Sequence, residues 1–154
     1  MATQEFSGSL PMMLYRALDT VMPRFRKVFN EFGLTEQQWR VLRVLWEQDE
    51  IAFNQLSALT LIPPPSLVGV VDRLTKGGLV KRRRSVIDRR SVSVFATKAG
   101  MALEDKVRPR VELAYAELRQ AINANEWEQL IEGLETVVAI ESNSDGSLPA
   151  AANQ

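Results

Sequence analysis

A mainly α-helical fold with one small β-hairpin is the class this sequence predicts, and three observations predict it. Apolar residues recur at three- and four-residue steps over most of the 154 positions. A proline-rich break, IPPPS at 62–66, separates two short helical patterns as closely as a helix-turn-helix requires. Two strand-like runs, 79–84 and 91–96, then flank the short tip SVIDRR. A hairpin directly following a helix-turn-helix is the winged-helix arrangement.

The elements follow in order. Residues 1–8 carry no pattern and are expected to be disordered. Leu10 to Phe32 reads as a helix with a wide apolar stripe running from Leu10 and Met13 to Val28 and Phe29. Pro23 lies inside it and is expected to kink or split it. Gly33 ends that helix, and Thr35 with Gln38 forms a capping box for the next, whose stripe is Trp39, Leu42, Leu45 and Trp46. A third, short helix is expected with Asn54 as its cap and Phe53 as a staple. It stops at Leu61, because Ile62 precedes Pro63 and avoids helical geometry. Pro64 and Pro65 open the fourth helix, which buries Leu67, Val70, Val71 and Leu74 and ends on Gly77-Gly78. In the hairpin, Val92 and Val94 alternate with Ser91 and Ser93. Thr97 caps a long helix from Lys98 to about Ile122, with a bend expected at Pro109. Asn125, with Glu128 in the capping-box position, opens the last helix, and residues 142–154 read as a disordered tail. One domain of residues 9–141 is expected, with the winged helix-turn-helix at about 35–97 and flanking helices at about 9–32 and 98–141.

Composition removes several functions. With no Cys and no His, the chain has no disulfide framework, no thiolate nucleophile, and neither the commonest general base nor the commonest metal ligand. No phosphate-cradling loop accompanies its carboxylates, so an enzyme is the weakest reading, and no metal or cofactor is expected. No apolar run spans a membrane, and the first residues lack a secretory pattern, so a cytoplasmic protein is expected. The neutral net charge hides an asymmetry: Arg73 to Arg90 holds eight cationic residues and one acid, a net of +7, which leaves −7 elsewhere. Local charge of this kind marks a polyanion site, although a solvated basic loop would look the same.

The placement of those charges points to duplex DNA. B-DNA's major groove admits one helix, and the second helix of a helix-turn-helix enters it by its N-terminus. Opposite the buried face of that helix stand Pro64, Pro65, Ser66, Val68, Gly69, Asp72 and Arg73. Ser66 could bond a base edge or a phosphate, or simply cap the helix. Val68 could touch a thymine methyl, or be one of the scattered apolar residues every surface carries. Gly69, with no side chain, would let the backbone approach closely, and Arg73 and Lys76 suit phosphates. On the hairpin, Arg89 and Arg90 could enter the narrow minor groove, with Asp88 holding an Arg guanidinium in a fixed fork. Lys81, Arg82, Arg83 and Arg84 would climb the strand along phosphates.

These residues resemble the MarR family of winged-helix regulators over nearly the whole patterned chain. LTEQQWRVLRVL (34–45) is similar to the family's second helix, and PSLVGVVDRLTKGGLVKR (65–82) to its recognition helix and first wing strand. DRRSVSVFATKAG (88–100) is similar to the wing signature: an Asp, an Arg two residues later, and a closing Thr-x-x-Gly. LTEQQWR and PPSL are closer to the branch that represses homoprotocatechuate degradation operons than to the multidrug-resistance branch. The resemblance implies a homodimer formed by the first and the last two helices, on a palindromic double-stranded operator. Members that sense aromatic acids hold them between dimerisation helices and DNA-binding lobe, so a small aromatic effector, a carboxylate, is implied. Arg16 matches the first-helix Arg that anchors the carboxylate in some members, with Met12 or Met13 and Trp39 as apolar walls. A surface or dimer salt bridge is the plainer role for Arg16. Ala96 departs from the family's usual Leu, which implies looser packing at the wing's base.

Two other readings compete with a ligand-responsive repressor. A winged-helix RNA-binding protein would also use a basic hairpin, but RNA's major groove is too narrow for a reading helix. A helical interaction module would have no nucleic-acid role, and its function would survive neutralisation of the hairpin cations.

Overall fold

The computed structural model describes residues 5–142, with side chains through residue 140. The expectations for residues 1–4 and 143–154 lie outside that range. Residues 5–8 are not structureless as expected: Phe6–Gly8 forms a single 3-10 turn, closed where the Ser9 amide and hydroxyl both donate to the Phe6 carbonyl. The remaining elements are α1 (Leu10–Glu31), α2 (Glu36–Glu47), β1 (Ile51–Ala52), α3 (Phe53–Thr60), α4 (Pro64–Lys76), β2 (Val80–Arg84), β3 (Val92–Ala96), α5 (Lys98–Ala121) and α6 (Ala124–Ser142). They fall into two compact units, one ending at Ala114 and one beginning at Tyr115.

Local chemistry fixes most boundaries. The Thr35 hydroxyl accepts the Gln38 amide at 3.1 Å while the Gln38 side chain accepts the Thr35 amide at 2.9 Å, a complete capping box. Gly33 and Gly78 take left-handed backbone (φ 68° and 74°) just beyond α1 and α4, as helix-ending glycines do. Three expectations need correction. The cap of α3 is Ala52, without a side-chain bond, and Asn54 lies inside the helix. The cap of α6 is Asn123, whose Oδ1 accepts the Glu126 amide at 2.9 Å, and not Asn125. Neither Pro23 nor Pro109 splits its helix. Each proline removes one helical donor at an exposed position, and Asp19 and Asp105, one turn earlier, are exposed too, so water can reach the carbonyls concerned.

One core fills the first unit. Phe25, Val28 and Phe29 of α1 are buried, as are Val41, Leu42 and Leu45 of α2, Leu56 of α3, and Leu67, Val70, Val71 and Leu74 of α4. Val80 and Val94 bring the hairpin onto it. The sheet has a third strand that the sequence did not reveal: β1 pairs antiparallel with β3 (Ile51 with Val94), giving the order β1-β3-β2. Two residues are too few to show an alternation. No helix among the described residues is long and apolar enough to cross a membrane.

The wing is clamped at its base. The Thr97 amide donates to the Leu79 carbonyl at 3.0 Å, and its hydroxyl donates to the Gly78 carbonyl at 2.6 Å while accepting the Gly100 amide at 3.1 Å. The Trp46 indole in turn donates to the Gly100 carbonyl at 2.9 Å. These bonds are the physical content of the Thr-x-x-Gly signature: one side chain ties the end of the recognition helix to the start of α5.

Candidate nucleic-acid interface

The leading end of α4 is bare. Pro63 caps it without a side-chain bond, and Pro64 and Pro65 have no amide hydrogen to leave unsatisfied. Ser66 therefore does not serve as the cap, and its exposed hydroxyl has no hydrogen-bond partner among the described residues. Val68 is 46% exposed on the same side, opposite the buried Leu67, Val70, Val71 and Leu74. Gly69 follows it, in a helix interior where glycine costs about 1 kcal/mol relative to alanine. Nothing in the protein asks for that glycine, since an added Cβ would meet only the Arg73 side chain, at an ordinary 3.5 Å. Gly69→Ala is accordingly expected to stabilise the fold by about 0.5–1 kcal/mol in urea unfolding. The same change should weaken DNA binding at least several-fold in a titration, if backbone approach is what the glycine serves. Unchanged affinity would remove that role.

The hairpin sorts its cations by strand alternation. Antiparallel pairing runs from Val80 with Ala96 to Arg84 with Val92, so successive side chains of β2 face opposite ways. Arg82 turns toward the recognition helix, where it pairs with Asp72 at 2.5 Å and donates to the Val68 carbonyl at 3.3 Å. Arg83 turns the other way: it pairs with Glu50 at 2.9 Å and lies over the Phe95 ring at 4.9 Å. Glu50 also accepts the Ser93 hydroxyl. These two arginines hold the wing to the body. Lys81, Arg84, Arg89 and Arg90, together with Arg73 and Lys76, form no ion pair among the described residues and are exposed. An open groove of about 390 Å³ joins the two surfaces, with Val68 on one wall, Arg84 and Arg90 on the other, and Asn54 from the first turn of α3.

Asp88 does not hold a guanidinium. Its Oδ1 accepts the Arg90 amide at 3.0 Å, and no Arg side chain pairs with it among the described residues. The bond is local: the amide lies two residues on in the chain, the reach of an Asx turn. Ser85 acts in the same way, its hydroxyl accepting the Ile87 and Asp88 amides at 3.2 and 3.1 Å. Glu50, Asp72, Ser85 and Phe95 all organise the wing. Only Ser85, a turn-former at the tip, left a signal in the sequence.

The candidate effector residues divide. Trp39 stacks on Phe29 with ring centroids 4.7 Å apart, and its indole Nε1 is buried without a hydrogen-bond partner among the described residues. Nearby, Glu36 bridges Arg26 at 3.1 Å and Arg40 at 2.8 Å. Burial would raise the Glu36 carboxyl, but the bonds from Arg40 and Arg26 outweigh it and hold the group below its ordinary value. Arg16, Met12 and Met13 share one turn of α1, with Arg16 and Met13 exposed and Met12 half-buried. Since α1 is continuous, about 20 Å of helix axis separates Arg16 from the Phe29 that Trp39 stacks on. A single protomer does not bring the two groups into one pocket.

Comparison with known proteins bears on the whole arrangement. The family model described as MarR family matches residues 32–91. The homoprotocatechuate degradative operon repressor of Escherichia coli is 33% identical over 141 residues, covering 92% of this chain and 95% of that protein. NadR, solved in complex with 4-hydroxyphenylacetate, aligns with a TM-score of 0.73 and 32% identity, covering 90% of this chain and 98% of that one. BpsR of Bordetella bronchiseptica, whose DNA binding is regulated by 6-hydroxynicotinic acid, aligns with a TM-score of 0.81 and 25% identity over 89% and 98% of the two chains.

Proposed function

The chain belongs to the MarR family, and from that membership we propose that it is a homodimeric transcriptional repressor, released from a two-fold symmetric operator by a small aromatic carboxylic acid. The observation that carries the DNA-binding half is the groove that Val68 of α4 shares with Arg84 and Arg90 of the wing, beside the bare leading turn of α4. In this reading Ser66, Val68 and the Gly69 backbone meet base edges in the major groove, and Arg73 and Lys76 meet flanking phosphates. Arg84, Arg89 and Arg90 follow the adjacent backbone and minor groove. A cytoplasmic location and no catalytic role belong to the same proposal.

The dimer rests on exposed apolar side chains at both ends of the chain. Phe6, Leu10, Met13, Tyr15 and Leu18 lie open along the 3-10 turn and α1, and Leu130, Ile131, Leu134, Val138 and Ile140 lie open along α6. Burying such faces against a second copy would stabilise the assembly by roughly 25 cal/mol per Å² of apolar area removed from water.

The effector half rests on Trp39. A buried donor with no acceptor costs about 1–3 kcal/mol, and a ligand oxygen would satisfy it. NadR and BpsR are associated with ring acids that offer such oxygens. A one-ring acid is far shorter than the span from Arg16 to Trp39, so the Arg16 that meets a ligand at Trp39 comes from the partner subunit. The effector then links the two protomers and shifts the dimer toward head separations that no longer match half-sites one helical turn apart. Arg16→Ala and Trp39→Phe are each expected to keep operator affinity within about threefold while weakening release by 4-hydroxyphenylacetate tenfold or more. Trp39→Phe should leave thermal stability unchanged or higher, because it removes the unsatisfied donor. Loss of operator binding in both variants would instead make these residues structural.

A further inference from the structure

Val86 and Ile87 stand at the far end of the β2–β3 hairpin, 98% and 100% exposed. No other large apolar side chain among the described residues is as open to water as either, and here two stand side by side. The backbone beneath them is held firmly. The Ser85 amide donates to the Ser91 carbonyl at 2.9 Å, the Ser91 amide to the Asp88 carbonyl at 2.9 Å, and the Ser85 and Asp88 side chains accept the amides of Ile87, Asp88 and Arg90. These bonds occupy five amides within the turn, and Val86 and Ile87 stand fully exposed at its tip. On either side stand unpaired cations, Arg84 before it and Arg89 and Arg90 after it.

We propose that Val86 and Ile87 form an apolar wedge that enters the minor groove ahead of Arg89 and Arg90 and selects the base step at which the groove opens. This rests on the reading of the chain as a DNA-binding regulator. The chemistry suits the site. The minor groove, about 6 Å wide, is walled by sugar C–H groups that favour apolar contact and offer Val and Ile nothing to bond. Apolar side chains that enter it part the bases partially, and flexible pyrimidine–purine steps yield at the smallest cost. Arginines alone make the opposite demand, for the narrow and strongly negative groove of A-tracts. The wing therefore reads two features in sequence: a step that opens at its tip, and a narrowing where its arginines follow.

The test uses duplexes that the wild-type protein selects from a randomised pool. Val86→Ser/Ile87→Ser removes the wedge and no packing, since both side chains are fully exposed, and an unchanged melting curve verifies the fold. The double variant is expected to bind the selected duplex about tenfold more weakly at every salt concentration, with the slope of log affinity against log salt unchanged. Its own selected pool should keep the inner half-sites and lose the pyrimidine–purine step at the wing position. Unchanged affinity and unchanged flanks would overturn the proposal and point the pair toward a protein partner. A flattened slope would also overturn it, because the substitution would then have acted by displacing the arginines. If the wild-type protein selects no duplex at all, the DNA-binding reading fails first and takes the wedge with it.

Discussion

Replacing Arg89 and Arg90 with alanine is expected to lower operator affinity about 100-fold at physiological salt and to flatten its salt dependence. Neither guanidinium forms an ion pair among the described residues, and Asp88 bonds the Arg90 amide in place of an Arg side chain. Both are thus available to displace counterions from DNA. A dimer loses four such contacts in the double variant, and each contributes about 0.9 to the slope of log affinity against log salt, so the slope should fall by roughly 3 to 4. Arg83→Ala is the contrasting control. Its guanidinium is already committed to Glu50 and the Phe95 ring, so its loss should loosen the wing and leave the slope nearly unchanged. Filter binding between low and physiological salt separates the two. An equal change of slope in both variants would mean that the internal pair of Arg83 opens on DNA.

Gly100→Ala is expected to cost the fold about 3 kcal/mol or more, the largest loss of any small substitution considered. A Cβ at this position would sit 2.1 Å from the Leu79 carbonyl oxygen and 3.1 Å from its carbon. That is backbone, which has no rotamer to yield. The Leu79 carbonyl is also pinned by the Thr97 amide, and α5 is pinned by the Trp46 bond to the Gly100 carbonyl. Relief of the clash therefore strains or breaks at least one of these hydrogen bonds on top of the overpacking, which alone costs about 1–3 kcal/mol. Urea unfolding at a fixed protomer concentration measures it. The clamp also sets the wing's position, so the variant should lose operator affinity beyond what its folded fraction explains. A loss under about 1 kcal/mol would show that the Leu79 carbonyl is not held as described.

The two glycines show what a sequence makes legible. Gly69 and Gly100 look alike as letters inside helical patterns, yet an added Cβ makes an ordinary contact with the Arg73 side chain at one and collides with a backbone carbonyl at the other. The helix-turn-helix was legible because its signals are local: Thr35 with Gln38, prolines at the start of α4, Gly77-Gly78 at its end. Caps are less legible: Asn125 and Asn123 are equally good capping residues two positions apart, and only backbone geometry chooses between them. The run Lys81–Arg84 reads as one block of charge, but strand alternation sends Arg82 to Asp72 and Arg83 to Glu50. Neither acid is adjacent in sequence to its arginine, so no local pattern could have announced the pairs. In the sequence Trp39 is only an apolar wall, and its unsatisfied indole donor emerges from the packing around it.

The most direct measurement is a hydroxyl-radical and methylation footprint of the protein on a duplex it selects from a random pool. The account expects two major-groove contacts related by two-fold symmetry and centred about one helical turn apart, each flanked by minor-groove protection from a wing. A single contact without symmetry, or protection of random duplex equal to that of the selected one, would contradict it.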